Sequence, residues 1–202
     1  MPTVALTGPL GGGKTTVLNL LKKKGASVYD VDKVIHSYYR DKKSSVYREI
    51  KKVFPQVITS RGSLLRKKLR EVVFNNRREL KKLERIVHPV IMKDLRKWIK
   101  NSRGKRKIYV AEVPLLFEKK LHILFDKVVF VYAPKQVILR RVKEKFGLST
   151  PQALSFLSLN QKVKEKIKRS DFVIRNGGSL EDLKAKVDYL WENLLSPKKR
   201  GG

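Results

Sequence analysis

Short apolar runs alternate with stretches of helical periodicity along the chain, which indicates strands and helices in turn. Apolar positions three and four apart predict four helices outside the middle of the chain, and Gly25 marks the end of the first. The five predicted strands lie at residues 3–7, 27–29, 108–111, 127–131 and 172–174, and the four helices at residues 15–21, 135–145, 152–168 and 180–195.

The stretch between the second and third strands, residues 33–100, is almost entirely helical in pattern, with a break near residues 55–62. Pro89 is expected to open a new helical segment there, because proline suits the first helical position and disrupts an interior one. Strands alternating with helices predict an α/β fold, a three-layer sandwich with a mostly parallel five-stranded sheet. The long helical stretch is interpreted as an insertion, either a cap or a substrate-binding subdomain.

Length and composition exclude several classes of protein. A chain of 202 residues fits one domain, and 41% hydrophobic residues exclude wholesale disorder. No apolar run approaches the roughly 18–20 residues of a membrane span, and the N-terminus lacks the features of a signal peptide. The absence of cysteine excludes disulfides, thiolate zinc sites and thiol nucleophiles. We expect a cytoplasmic monomer that does not bind membranes.

The net charge of +30, from 48 Lys and Arg against 18 Asp and Glu, predicts a polyanionic partner. Nucleic acids and phosphorylated small molecules both qualify, and charge alone does not choose between them. Basic residues occur throughout the chain, which favours a solvated surface over a groove-binding stripe. We therefore expect no specific nucleic-acid partner.

Residues 8–15, Gly-Pro-Leu-Gly-Gly-Gly-Lys-Thr, match the phosphate-loop pattern G-x-x-x-x-G-K-[ST] between a predicted strand and helix. Main-chain N–H groups of such a loop bind phosphate oxygens, Lys14 should reach the β- and γ-phosphates, and Thr15 should hold Mg²⁺ through its hydroxyl. The loop residues expected to bind ATP are Gly8, Gly11, Gly12, Gly13, Lys14, Thr15 and Thr16. A Leu-Ser-Gly-Gly-Gln segment is absent, which argues against an ABC-type ATPase.

Two aspartates, Asp30 and Asp32, close the second predicted strand. The carboxyl ends of strands in a doubly wound sheet face the ligand crevice. Asp32 could there accept the proton of an attacking hydroxyl or position the metal. The alternative is that Asp32 caps the helix that begins near Lys33, and the two roles can coexist.

Further sequence blocks follow in a defined order. They are Gly-Ala-Ser-Val-Tyr-Asp-Val-Asp at residues 25–32, Gly-Ser-Leu-Leu-Arg-Lys-Lys-Leu-Arg-Glu-Val-Val-Phe at 62–74, Leu83-Glu84, His88-Pro89, Pro-Leu-Leu-Phe-Glu at 114–118, Gln161, and Asp-Phe-Val-Ile-Arg-Asn-Gly-Gly at 171–178. With the phosphate loop, these blocks resemble the dephospho-CoA kinase family from Val4 to about Leu190. The resemblance implies a P-loop NTPase-like core at residues 1–44, 106–140 and 170–195, a helical acceptor-binding insertion at about 45–105, a lid at about 141–168 and a polar tail at 196–202.

The resemblance also implies a reaction, the transfer of the γ-phosphoryl group of ATP, with Mg²⁺, to the ribose 3′-hydroxyl of dephospho-CoA. Asp32 matches the family aspartate that contacts and activates this hydroxyl. The residues that the resemblance assigns to the acceptor are Asp32, Arg66, Arg70, His88, Pro114, Leu115 and Leu116, and those that it adds to the ATP site are Asn176 and Gly177. His88 is alternatively a packing residue.

The predicted lid carries Arg141, which matches a family arginine, and Lys145, which stands where the family has a second one. Both are expected to stabilise charge on the transferring phosphoryl group, and Arg140 is the alternative to Lys145. Alternatively, Arg141 and Lys145 are part of a solvated basic helix face. Glu112 stands where an aspartate is common and could hold Mg²⁺ through water or pair with Lys14. Leu65 replaces a polar residue of the family pattern.

Two other functions remain open at this point. One is a related P-loop kinase that phosphorylates a nucleoside monophosphate or shikimate. The other is a basic nucleic-acid-binding protein with a vestigial phosphate loop, which the pI of about 10.4 favours.

Overall fold

The computed structural model describes residues 1–74, 76–102, 104–147, 149–151, 153–154 and 162–195. Five strands form one sheet in the order β2-β3-β1-β4-β5, and β1 pairs in parallel with β3 and β4, as β4 does with β5. The strands are β1 (Thr3–Thr7), β2 (Ser27–Asp30), β3 (Tyr109–Glu112), β4 (Lys127–Tyr132) and β5 (Phe172–Arg175). The predicted parallel α/β sheet is confirmed.

Eight helices are described, together with two short 3₁₀ turns at Pro55–Val57 and Leu121–Leu124. The helices are α1 (Lys14–Lys23), α2 (Val31–Arg40), α3 (Ser45–Val53), α4 (Arg66–Phe74), α5 (Arg77–Ser102), α6 (Lys135–Phe146), α7 (Val163–Lys168) and α8 (Leu180–Leu195). None of these described helices is both long and apolar enough to cross a membrane.

The chain divides into two compact units, and residues 1–29 and 102–202 form the first. Every residue of the central strand β1 is buried, because helices cover a parallel sheet on both faces. The core of this unit includes Val4 and Leu6 of β1, Leu18 of α1 and Val187 of α8. A rigid, buried β1 fixes the position of the loop that follows it.

The second unit, residues 30–101, is helical around a core of its own. Ile50 and Phe54 are fully buried there with Val57, and Leu69 packs against them. The predicted break is present as the turn at Pro55–Val57 followed by an isolated antiparallel bridge from Ile58 to Leu64.

Four local predictions need correction or lie wholly or partly outside the described residues. Pro89 does not open a helix but lies inside α5, which continues through it, and apolar residues on both sides, Val87 and Ile91 among them, pack into the protein. Of the helix predicted at residues 152–168, α7 is described, whereas Gln161 and the tail at residues 196–202 lie outside the described part.

Candidate active site

The loop between β1 and α1 has a backbone that only glycine adopts without strain at several positions. Gly8, Gly11 and Gly13 have φ angles of 146°, 76° and 96°. A Cβ atom on Gly8 would lie 1.9 Å from the carbonyl oxygen of Val131, and one on Gly13 would lie 1.9 Å from Asn176 Nδ2. The glycines therefore let the loop approach the ends of β4 and β5 closely.

Lys14 is the first residue of α1, and only 7% of its surface is exposed. Its Nζ donates hydrogen bonds of 3.0 Å to the carbonyl oxygens of Gly8 and Pro9. The carbonyl of Pro9 also accepts from the N–H of Gly12 at 3.1 Å. The ammonium group is thus held against the inside of the loop, close to where a phosphate would lie.

Thr15 and Glu112 bring two oxygen ligands together at the carboxyl end of β3. Thr15 Oγ1 donates to Glu112 Oε2 at 3.3 Å, and Glu112 is buried. Parallel pairing sets Glu112 opposite Leu6, one residue before the end of β1. A hydroxyl and a carboxylate are oxygen ligands of the kind Mg²⁺ prefers, so this pair fits the ion that the resemblance implies.

Arg141 and Asn176 brace the loop from the other side of β1. Asn176 is buried, its Nδ2 donates to the Gly12 carbonyl at 3.0 Å, and its own N–H donates to the Tyr132 carbonyl at 2.7 Å. Arg141 Nη1 donates to the carbonyl oxygens of Gly11 at 3.3 Å and Asn176 at 3.2 Å. Desolvation, and to a lesser extent Arg140, lowers the pKa of Arg141 from its ordinary value.

The other two basic candidates of α6 make no described hydrogen bond or ion pair with the phosphate loop. Arg140 is exposed and its Nε lies 3.9 Å from Glu144 Oε1. Lys145 is also exposed, with its Nζ 5.6 Å from the centre of the Phe146 ring. Among the described contacts, Arg141 is therefore the α6 cation that reaches the phosphate loop.

Thr16 and Gly177 are the remaining residues predicted to bind ATP. Thr16 is exposed on α1. A Cβ on Gly177 would lie 2.8 Å from Pro134 Cδ, so a larger residue there would push on the start of α6.

The acceptor candidates of the first unit follow β3. Pro114 and Leu115 are exposed, and the Pro114 carbonyl accepts from Thr7 Oγ1 at 3.4 Å. Leu116 is fully buried, and its carbonyl accepts from the N–H of Leu121 at 2.8 Å. Pro114 and Leu115 could therefore meet a ligand with their side chains, whereas Leu116 anchors the segment.

In the second unit, Asp30 rather than Asp32 caps α2. Asp30 Oδ1 accepts from the Lys33 N–H at 3.1 Å, and Asp30 Oδ2 lies 3.1 Å from Lys33 Nζ. The capping interpretation of Asp32 is therefore wrong, because α2 begins at Val31 rather than near Lys33, which places Asp32 inside the helix. Asp32 is exposed in the first turn of α2 and makes no hydrogen bond or ion pair with a described residue.

The charges of Asp32 and Arg66 both influence the pKa values of two ring side chains, His36 and Tyr39. Burial and then Arg66 lower the pKa of His36, while Asp32 opposes them. Burial raises the pKa of Tyr39 to about 12, with Arg66 opposing and Asp32 adding to the rise. The centres of the two rings lie 6.4 Å apart.

Sequence reasoning missed this pair of rings. The signal available was the spacing of Asp32 and His36, four residues apart on one helix face. Of the other acceptor candidates, Arg70 is exposed on α4 and His88 is half-buried on α5, while Leu65 is 43% exposed just before α4.

The chain is similar in sequence and structure to known kinases. The model of the dephospho-CoA kinase family matches residues 2–182. A dephospho-CoA kinase of Aquifex aeolicus is 36% identical over 195 residues, which cover 96% of this chain and 98% of that protein. A Thermus thermophilus protein of known crystal structure is 32% identical, with a TM-score of 0.74, over 96% of this chain and 98% of that one.

A solved dephospho-CoA kinase from Campylobacter jejuni is 26% identical, with a TM-score of 0.70, over 95% of this chain and 96% of that one. The family match covers the phosphate loop, its Arg141–Asn176 brace and the helical second unit alike. On these matches, the chain belongs to the dephospho-CoA kinase family.

Proposed function

We propose that this chain transfers the γ-phosphoryl group of ATP to the ribose 3′-hydroxyl of dephospho-CoA. The observation that carries the proposal is the braced phosphate loop, with buried Lys14 inside it and the Thr15–Glu112 pair beside it, in a chain of this family. The products are coenzyme A and ADP.

The loop supplies the ATP site. Because α1 begins at Lys14, its first N–H groups have no intrahelical partner and are available to phosphate oxygens. The positive end of the helix dipole adds to their attraction. Lys14 is already held within the loop and would exchange its carbonyl partners for β- and γ-phosphate oxygens.

Thr15 and Glu112 are the residues that would hold Mg²⁺, the first through its hydroxyl and the second through water. When bound, the ion neutralises charge that develops on the β- and γ-phosphate oxygens. Arg141 adds a fixed cation at the loop, and its contacts with Gly11 and Asn176 keep the guanidinium in place before ATP arrives. Lys145 remains a candidate for a second cation.

Asp32 is proposed to orient the acceptor. It lies two residues beyond the carboxyl end of β2, and the carboxyl ends of parallel strands share the edge at which ligands bind. Its carboxylate has no protein partner among the described residues and can therefore accept the hydroxyl proton. The hydroxyl oxygen then bonds to the γ-phosphorus as the bond to the β–γ bridging oxygen breaks, and ADP leaves.

Arg66 is proposed to bind the phosphates of the acceptor, and Arg70, His88, Pro114 and Leu115 are proposed as further acceptor-binding residues. Dephospho-CoA and ATP are both polyanions, which suits a basic protein. A cytoplasmic location and a monomeric state remain predictions from the sequence.

The test is a reaction of the purified protein with ATP, Mg²⁺ and a panel of acceptors. Dephospho-CoA should be consumed with formation of coenzyme A, whereas shikimate and nucleoside monophosphates should not be phosphorylated. Turnover of another acceptor and none of dephospho-CoA would contradict the proposal. The family match does not favour either alternative function.

A further inference from the structure

Helix α5 carries a row of basic residues that the proposed reaction does not use. The helix holds nine Lys and Arg against three Asp and Glu. Seven of its positions, spaced four, three, four, four, three and four residues apart, lie within about 80° of one another around the helix axis. These positions are Arg78, Lys82, Arg85, Pro89, Lys93, Arg96 and Lys100, and all seven are exposed. We call the six cations of this set the α5 stripe.

Most cations of the stripe have no ion-pair partner among the described residues. Lys82 Nζ lies 2.9 Å from Glu79 Oε1. For Arg78, Arg85, Lys93, Arg96 and Lys100, no carboxylate of the described residues lies within ion-pair distance. Their charges repel one another, so the row costs stability unless an anion binds along it.

The length and shape of the stripe match an extended polyphosphate. From Arg78 to Lys100 the helix rises about 33 Å, at about 1.5 Å per residue. Duplex DNA carries a phosphate every 3.4 Å along each strand, so 33 Å of duplex has about ten phosphates per strand, and those on the side that faces the helix can meet the stripe. The phosphates of a nucleotide or of coenzyme A span only a small part of that length.

The opposite side of the helix argues against a membrane as the partner. A helix that binds a bilayer surface needs an apolar face to insert between the lipids. In α5 that face is occupied, since Leu95 and Ile99 are buried and Val90 packs into the core of the second unit. Only the polar side remains for a partner.

We propose that the α5 stripe binds the phosphate backbone of nucleic acid without regard to sequence. The contacts would be those of Lys and Arg with phosphates, which position a protein on nucleic acid and carry no base recognition. This inference is independent of the proposed kinase reaction. It also accounts for part of the net charge of +30.

The test compares two triple variants of equal net charge. One neutralises the stripe, Arg85→Gln with Lys93→Gln and Arg96→Gln. The matched control neutralises exposed lysines of α1 and α3, Lys22→Gln with Lys23→Gln and Lys51→Gln. Fluorescence anisotropy with a labelled DNA duplex and an RNA strand of random sequence, over a salt series, gives the affinity and its salt dependence.

For the duplex, the slope of log affinity against log salt should fall by about 2 to 3 in the stripe variant, because about three phosphate contacts are lost. The control should keep nearly the wild-type slope, and both variants should keep kinase turnover. Binding of RNA alone with the same stripe dependence would also support the proposal. Equal loss in both variants, no binding of either nucleic acid, or stripe-dependent binding only to anionic lipid vesicles would overturn it.

Discussion

The Thr15 hydroxyl donates a hydrogen bond to the buried Glu112 carboxylate at 3.3 Å, which joins the start of α1 to the end of β3. If this pair holds Mg²⁺, Glu112→Gln should raise the Mg²⁺ concentration at half-maximal rate about tenfold or more, since the amide lacks the negative charge. Magnesium titrations of the kinase rate measure this. Glu144→Gln, on the exposed surface of α6, is the control and should leave the titration unchanged. Unchanged magnesium dependence in Glu112→Gln would remove this residue from the metal site.

Arg141 should be far more important for turnover than its neighbour Arg140. Lysine at position 141 keeps the charge but cannot donate to Gly11 and Asn176 with one planar group, so Arg141→Lys should lower kcat about a hundredfold. Arg140→Lys is matched in chemistry and lies at an exposed position. Steady-state kinetics of the two variants decide the matter, and equal effects would mean that the loop contacts of Arg141 have no catalytic value.

Local patterns were sufficient to predict much of the fold and the position of the phosphate loop. The boundaries of α8 match its apolar periodicity, and the phosphate loop is contiguous in sequence, so neither needed knowledge of distant contacts. The brace is different, because Asn176 and Gly12 are 164 residues apart and meet only when β5 joins the sheet. The prediction that Pro89 opens a helix is wrong for the same reason, since packing on both sides of Pro89 outweighs the preference of proline for the first position of a helix.

Two aspartates separated by one residue should have separable roles. Asp32→Asn should lower kcat about 10²–10⁴-fold with ATP affinity nearly unchanged, because the amide cannot accept the hydroxyl proton. Asp30→Ala removes the α2 cap and should cost about 1 kcal/mol of stability with little change in kcat. Calorimetric ATP binding, thermal unfolding and kinetics together distinguish the two. Full activity of Asp32→Asn would leave the acceptor without its proposed partner.

Gly13 should tolerate alanine less well than another glycine with positive φ. A Cβ at Gly13 would meet Asn176 Nδ2 at 1.9 Å, whereas one at Gly147, with φ of 63°, meets nothing within 4 Å. Alanine at a left-handed backbone position costs about 1–2 kcal/mol of stability in both variants. The difference in stability between them therefore measures the effect of displacing Asn176 at position 13. Gly13→Ala should therefore have the lower Tm and the weaker ATP binding. Equal values in the two variants would mean that the loop adjusts freely around Asn176.

His36 should make the protein less stable in mildly acidic solution. Burial and Arg66 lower the pKa of His36 below its usual value of 6.5, so the unfolded chain takes up a proton at a higher pH than the folded one. The contribution to stability is complete above the unfolded pKa and falls as pH drops from about 6.5 toward the folded pKa. His36→Gln should therefore lose less Tm between pH 7.5 and pH 5 than the wild type. The control variant is His122→Gln. A larger loss of Tm in His36→Gln than in the wild type would contradict the lowered pKa of His36, because it would mean that His36 binds a proton more tightly in the folded state than in the unfolded state.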